Sequence, residues 1–582
     1  MFAVAAGCMA VAVATPALAD QQARTAVPVS KRASIASLAR VDGDRSKQSL
    51  ETRLAEDLRA MWAGRALQRG TTAMYVVDAK TGEPLFAVHE ERGLNPASNV
   101  KLVSTATALH VLGPSWRYVT QMLGPQPDRN GVIRGDVYLY GNADPTLRAV
   151  HLAAFATDLV AAGVSKIDGA VLASTDELRD TLGRPTVSVK VTGAASGKPP
   201  TVEITPANDF VTVQVTAKST TRRRRPRIKV SGTMLEPAED NEITRPTYAL
   251  TVSGEIRPGQ SRTYHRKVPS PALFSAHVLR GALIEAGIDV TGDARLVDLE
   301  SYVSAGVDAG YLPVELARHE SAPVSKLVKW VNKPSNNFLA DRLLMTVGAV
   351  RYGGAPSLVR GVDAMNEWLE AAGIHSDEVV LDTGSGLSYN SRLSPKHIVR
   401  VLRTASGYAE ANTAEPIPDL ADALAMAGGA IEGRFAIGDT DDRAPVLGGE
   451  AEDVESCFHD SLAVAGIDGT LRRRYSSSSL KGLMVGKTGT LTRVIALSGF
   501  VSLGDDDTVA FAILTNGHRQ SRRNTVRYEH RKMAQRVLEY LEARKQRREN
   551  APPPAAQPAS ASDEPIEEEP DIDPEPAPDP TE

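Results

Sequence analysis

Ser98 and Lys101 stand three residues apart at the head of an apolar-rich run, Leu102 to Leu112. Three residues is close to one helical turn, so the two side chains lie on one face within reach of each other. A serine held beside an amine is a nucleophile beside a base. Asn95-Pro96-Ala97 precedes the pair, and the proline marks a helix start. Two further short words follow in the chain. Ser335-Asn336-Asn337 supplies a hydroxyl and a carboxamide. Lys487-Thr488-Gly489-Thr490 supplies a cation, two hydroxyls and a glycine that opens the backbone to a substrate. A fold that unites the three words makes a serine acyl-transfer site that needs no histidine, and this requirement constrains the chain more than any other feature.

Each word also occurs where it cannot serve. Ser478 and Lys481 repeat the serine–lysine spacing inside a run of four serines, which reads as a polar loop. Lys80-Thr81-Gly82 falls between the apolar strands Met74–Val77 and Leu85–Val88 and reads as a hairpin turn. Ser388-Tyr389-Asn390 copies the second word. By contrast, Lys487-Thr488-Gly489 lies between Leu483–Gly486 and Ile495–Leu497, a strand setting in which a substrate can lie along an edge.

The chain has 582 residues, too long for one ordinary domain, with an apolar content of 42%. Phe2 to Leu18 is uncharged and mostly apolar and ends in Ala17-Leu18-Ala19, so it reads as a signal peptide cut before Asp20. No other run is long enough to span a membrane, which implies an exported protein of the periplasm or cell envelope without an integral span after cleavage. Cleavage removes Cys8 and leaves Cys457 alone, which excludes an internal disulfide. No Cys/His cluster points to a metal, and no cofactor is implied. Net charge is −5. Residues 551–582 carry ten acidic side chains and no basic ones, so the remainder is about five positive. That Pro-, Ala- and acid-rich tail cannot build a core. The basic run Arg222–Arg225 with Arg227 reads as a solvated loop rather than a nucleic-acid contact.

Over two hundred residues separate the first and second words. Val132–Tyr140, Val211–Thr216, Arg227–Val230 and Ala249–Gly254 read as strands between Gly/Pro turns, so the gap is expected to hold β-rich inserted domains. Helical spacing marks Leu50–Leu67, Val324–Val350, Pro356–Ala372 and His530–Glu549. The expected organisation is a signal peptide over 1–19, a linker over 20–48, a discontinuous catalytic region over 49–125 and 318–548, an insert over 126–317 and a tail over 549–582.

With these residues in view, the chain resembles the D-alanyl-D-alanine carboxypeptidase/endopeptidase family of low-molecular-mass (class C) penicillin-binding proteins. The match runs over roughly residues 50 to 545. It rests on Asn95 to Leu102, Asp144-Pro145-Thr146-Leu147, Asn332 to Asn337, Gly384-Ser385-Gly386-Leu387-Ser388, Val464 to Leu471 and Lys487 to Leu491. The resemblance implies an α+β fold: a penicillin-recognising, β-lactamase/transpeptidase-like domain of a sheet flanked by helices, with β-rich domains inserted between the first two motifs. It implies peptidoglycan stem peptides as substrates, β-lactams as inhibitors and an acyl-enzyme on Ser98. Lys101 would be the base and Ser335 the proton relay. Asn337, Lys487, Thr488, Gly489, Thr490 and Asp144 would bind substrate, with backbone N–H groups of Ser98 and Thr490 meeting the oxyanion. Two positions depart from the family pattern: Asn336 in the second motif, and Tyr389 where many members carry an arginine lining the peptide side-chain pocket, with Arg392 close by. A β-lactamase and a catalytically silent peptidoglycan-binding or penicillin-sensing module are the alternatives. Oligomeric state is not legible.

Overall fold

The computed structural model describes residues 48–175, 181–221, 227–237, 245–409, 453–504 and 506–550. The expected signal peptide, all but the end of the linker, the Arg222–Arg225 cluster and the acidic tail from Ala551 lie outside the described residues. The chain divides into Met1–Arg53 and Leu54–Glu582, and the architecture below is that of the second unit.

The largest sheet among the described residues has six antiparallel strands: β1 (Thr71–Asp78), β2 (Pro84–Val88), β3 (Ala463–Val464), β4 (Met484–Leu491), β5 (Val494–Ser502) and β6 (Thr508–Asn516). Their order is β3-β4-β5-β6-β1-β2. β5 and β6 are buried at every residue but the last, which is why they read as unbroken apolar runs rather than alternating ones. One face packs on α7 (Arg523–Glu549), whose stripe Val526, Met533, Val537, Leu538 and Leu541 is fully covered. That helix begins seven residues before the span expected from its spacing.

Helix α1 (Val100–Leu112) is buried at every residue except His110. A helix apolar on all sides must sit in the middle of something. Here α2 (Val324–Asn332), α3 (Asn337–Tyr352), α4 (Leu358–Ala371), α5 (Pro395–Ala405) and α6 (Val454–Ser461) share one core with it. The inserted residues form a second core. Its five-stranded sheet runs in the order Ala294–Leu296, Val171–Ala173, Val137–Gly141, Val119–Gly124, Val314–Glu320, beside smaller sheets built on Thr186–Thr192 and Thr247–Ile256. Helices Ala149–Ala161, Pro271–Glu285 and Leu299–Asp308 accompany the strands.

The insert leaves and returns at one point. The Ser321 N–H donates to the Tyr118 carbonyl at 2.9 Å, the Tyr118 N–H to Ser321 Oγ at 3.0 Å, and the Val324 N–H to the Trp116 carbonyl at 2.9 Å. This clasp ties the chain after α1 to the start of α2, so the long insertion does not separate Ser98 from Ser335.

Candidate active site

Ser98 does not open the helix directly. It lies in a single 3-10 turn, Ala97–Asn99, ahead of α1. Ala97 has φ +48°, a left-handed conformation that costs energy for a residue with a Cβ and is kept only where neighbours impose it. Asn95 does so from below. Its Oδ1 accepts the Ala97 N–H at 2.9 Å and its Nδ2 donates to the Ser388 carbonyl at 2.9 Å. Asn516 at the end of β6 grips the Asn95 backbone in turn, at 2.9 and 3.1 Å. Two glycines complete the seat. A Cβ on Gly489 would come within 2.6 Å of the Pro96 carbonyl oxygen, and one on Gly386 within 2.1 Å of the Ala97 carbonyl oxygen. Gly489 was expected to open the strand to a substrate; its open side is occupied by the protein's own nucleophile turn.

Lys101 is fully buried. Its Nζ donates to Ser98 Oγ at 3.2 Å, to Asn337 Oδ1 at 2.7 Å and to the Ser385 carbonyl. Burial pulls its pKa down to about 7, against the opposing pull of Asp341. Asp341 accepts the Ser385 N–H at 2.8 Å, so one acid braces the loop that holds the lysine and also faces its charge. Burial raises the Asp341 pKa.

Lys487 on β4 is equally buried, and its Nζ donates to Ser335 Oγ at 2.8 Å and to the Thr488 carbonyl at 3.0 Å. Burial, Lys101 and Arg474 push its pKa well below the ordinary lysine value. Ser335 has φ +60°, and its N–H donates to the Asn332 carbonyl at 3.3 Å. Asn336 caps α3, its Oδ1 accepting the Leu339 N–H at 3.2 Å. Asp and Asn cap helices equally well, so Asn336 serves the cap as an aspartate there would. Thr488 Oγ1 donates to Thr470 Oγ1 at 3.0 Å, and Thr490 Oγ1 accepts from Arg527 at 3.1 Å.

The fold therefore joins Ser98, Lys101 and Asn337 in one hydrogen-bonded cluster and Ser335 with Lys487 and Thr488 in a second, and it seats Gly489 against the Ser98 turn. Asp144 stands apart from these contacts. It is buried in the turn Asp144-Pro145-Thr146, where Oδ1 accepts both the N–H and the hydroxyl of Thr146 at 2.7 Å. Burial raises its pKa. Tyr389 is 57% exposed, and the Arg392 guanidinium is taken up by the carbonyls of Tyr389, Asn390 and Ser391. Ser478 sits in a turn, where its carbonyl accepts the Lys481 backbone N–H and its Oγ accepts from Gln535 and the Leu480 N–H rather than from the Lys481 amine, and Gly82 closes the β1–β2 hairpin with φ +78°. Sequence reasoning missed Asp341, Thr470 and Arg527. Asp341 carried a signal: it follows Asn337 by four residues, one helical turn along the same face. Thr470 lies within the Val464–Leu471 segment that carries the resemblance, but nothing there marks a role of its own, and Arg527 carried no signal, since tertiary packing alone brings it to β4.

Among the described residues no group of His, Cys, Asp and Glu could hold a metal, and no helix is long and apolar enough to cross a membrane. The profile of the D-Ala-D-Ala carboxypeptidase 3 (S13) family matches residues 54–449 and 446–537. The chain is similar to the D-alanyl-D-alanine carboxypeptidase of Actinomadura sp. (strain R39), 29% identical over 506 residues that cover 80% of this chain and 81% of that protein. It is also similar to the D-alanyl-D-alanine carboxypeptidase DacB of Haemophilus influenzae, 22% identical over 72% of this chain and 80% of that one. A crystal structure of penicillin binding protein 4 from Haemophilus influenzae, complexed with a β-lactam, shares the fold, with a TM-score of 0.55 and 19% identity over 79% of this chain and 93% of that one. A serine hydrogen-bonded to a buried lysine, a sheet flanked by helices and a family match over most of the length converge: the chain belongs to the D-Ala-D-Ala carboxypeptidase 3 (S13) family.

Proposed function

We propose that the protein is a serine D-Ala-D-Ala carboxypeptidase and/or D,D-endopeptidase that acts on peptidoglycan stem peptides in the cell envelope. It works through an acyl-enzyme on Ser98 and is inhibited by penicillin. The observation that carries this reading is the 3.2 Å contact from Lys101 Nζ to Ser98 Oγ, with the lysine pKa drawn to about 7. A base with a pKa near the working pH is the efficient one. Neutral Lys101 takes the Ser98 proton as Oγ attacks the carbonyl between two D-alanines, or that of a cross-link. Backbone N–H groups of Ser98 and Thr490 meet the oxyanion. The Lys487–Ser335 contact supports Ser335 as the relay that returns a proton to the leaving amine. Asn337 holds the substrate amide, and Lys487, Thr488 and Thr490 receive the terminal carboxylate. Water then releases the product from Ser98.

On this reading Asp144 binds substrate from outside the two hydrogen-bonded clusters. The loop that includes it packs on Gly183, and the next residue, Arg184, has its guanidinium 3.5 Å from Asn336 Oδ1. This reading places the catalytic region on both sides of an insert whose sheet takes in Val119–Gly124 and Val314–Glu320, a few residues beyond the expected bounds of 126 and 317, with export by the apolar leader. The test uses purified cross-linked and uncross-linked muropeptides with mass spectrometry of the protein after penicillin. Release of D-alanine or cleavage of the cross-link, with a stable adduct on Ser98, supports it. Rapid loss of the adduct would mark a lactamase, and no adduct would mark a silent module.

A further inference from the structure

One strand over from the third motif lies a second cavity, of about 280 Å3, between α7, β5 and the turn at Arg474–Tyr475. Its floor is Ile495–Leu497, the residues of β5 that pair with Thr490, Gly489 and Thr488. Its walls carry Arg474, Arg527, Arg531, Asn524, Tyr528 and His530. Among the described residues no carboxylate lines it, and none forms an ion pair with Arg474, Arg527 or Arg531. The Nε groups of Arg527 and Arg531 are buried without an acceptor. His530 adds no counter-charge; it is buried and its pKa is pushed down to about 3, so it is neutral. The Arg527 pKa is lowered to about 10 by burial and by Arg474 and Arg523. Cations that face one another with unmet donors are held at a cost unless an anion joins them.

We propose that this cavity is an anion site that takes a small free oxyanion, phosphate or sulfate, with its hydrating waters. At roughly 30 Å3 per water the volume accommodates one oxyanion and several waters. Guanidinium forks match the oxygens of such an ion in a way that a spherical halide does not satisfy. The site is wired to the reaction centre, because Arg527 also donates to Thr490 Oγ1 at 3.1 Å. An anion in the cavity takes up part of the Arg527 charge that otherwise acts at Thr490.

The test is a titration of the full chain with inorganic phosphate against sodium chloride at matched ionic strength, read by calorimetry and by melting temperature. The expected result is saturable binding and a rise in melting temperature with phosphate but not with chloride. Arg531→Met and Arg474→Met should each weaken phosphate binding by about 10- to 150-fold, the span of a charged hydrogen bond. Arg474→Met should melt no lower than the parent in phosphate-free buffer, since it removes a cation with no counter-charge, whereas Arg531→Met also loses the stacking of Arg531 on Tyr528, 5.1 Å from the ring centroid. Phosphate and chloride acting alike would overturn the proposal. So would phosphate binding that both variants retain at full strength, which would locate the ion at Lys487 instead. If one variant misfolds, the other decides between these outcomes.

Discussion

The two buried lysines of the site solve the same problem in different ways. Both are pushed below the ordinary lysine pKa by burial. Lys101 has three acceptors and a facing acid, Asp341, that opposes the shift and leaves it at about 7. Lys487 has a hydroxyl and a carbonyl, and two further cations, Lys101 and Arg474, weigh against its charge. The first lysine is complete within the protein and can exchange a proton. The second lacks a counter-charge. On the proposed reading a substrate carboxylate supplies it, and chemistry and recognition divide between two residues of one type, set by what surrounds each.

The sharpest way to break this division is at Ser98. Ser98→Ala should abolish penicillin labelling and peptide cleavage with the melting temperature unchanged; labelling that persists would transfer the chemistry to another serine. Lys101→Ala should slow acylation by about 10²- to 10⁴-fold, the range of a positioned general base. A loss under tenfold would make Lys101 structural. Lys487→Met should instead erase the preference for a terminal carboxylate over a carboxamide, a change of about 10- to 150-fold in kcat/KM between the two peptides. An unchanged ratio would refute its role as the carboxylate's partner. Gly489→Ala forces a Cβ against the Pro96 carbonyl and should cost about 1–3 kcal/mol of stability in denaturant unfolding, with slower acylation because the Ser98 turn moves. At the small end, Asn336→Ala should cost about 1 kcal/mol through loss of the α3 cap, while Asn336→Asp should change stability by less than about 0.5 kcal/mol.

The three motifs were legible because their chemistry is local: a helical turn, a loop before a helix, a strand edge. The start of α1 and the strand setting of β4 and β5 were legible because Leu102–Leu112 is apolar-rich and short apolar runs flank Lys487-Thr488-Gly489, while nothing singled out β6. The insert was legible as a gap with strand texture, but its helices Ala149–Ala161 and Pro271–Glu285 are mostly apolar and carry no clear helical stripe. Arg474 and Arg527 were illegible because nothing near them in sequence points to β4. Gly489 shows the subtler failure. Its need for space was evident, but what fills that space, the Pro96–Ala97 turn, lies nearly four hundred residues earlier in the chain.

The division between the lysines is tested most directly by the pH dependence of Ser98 acylation by penicillin in the parent and in Asp341→Asn. A lysine base works when neutral, so the rate should climb as pH rises through about 7 in the parent. Asp341 stabilises the charged form of Lys101, so its neutralisation should move that climb to lower pH, with faster acylation on the acidic side. A midpoint that stays in place, or moves to higher pH, would contradict the assignment of Lys101 as the base.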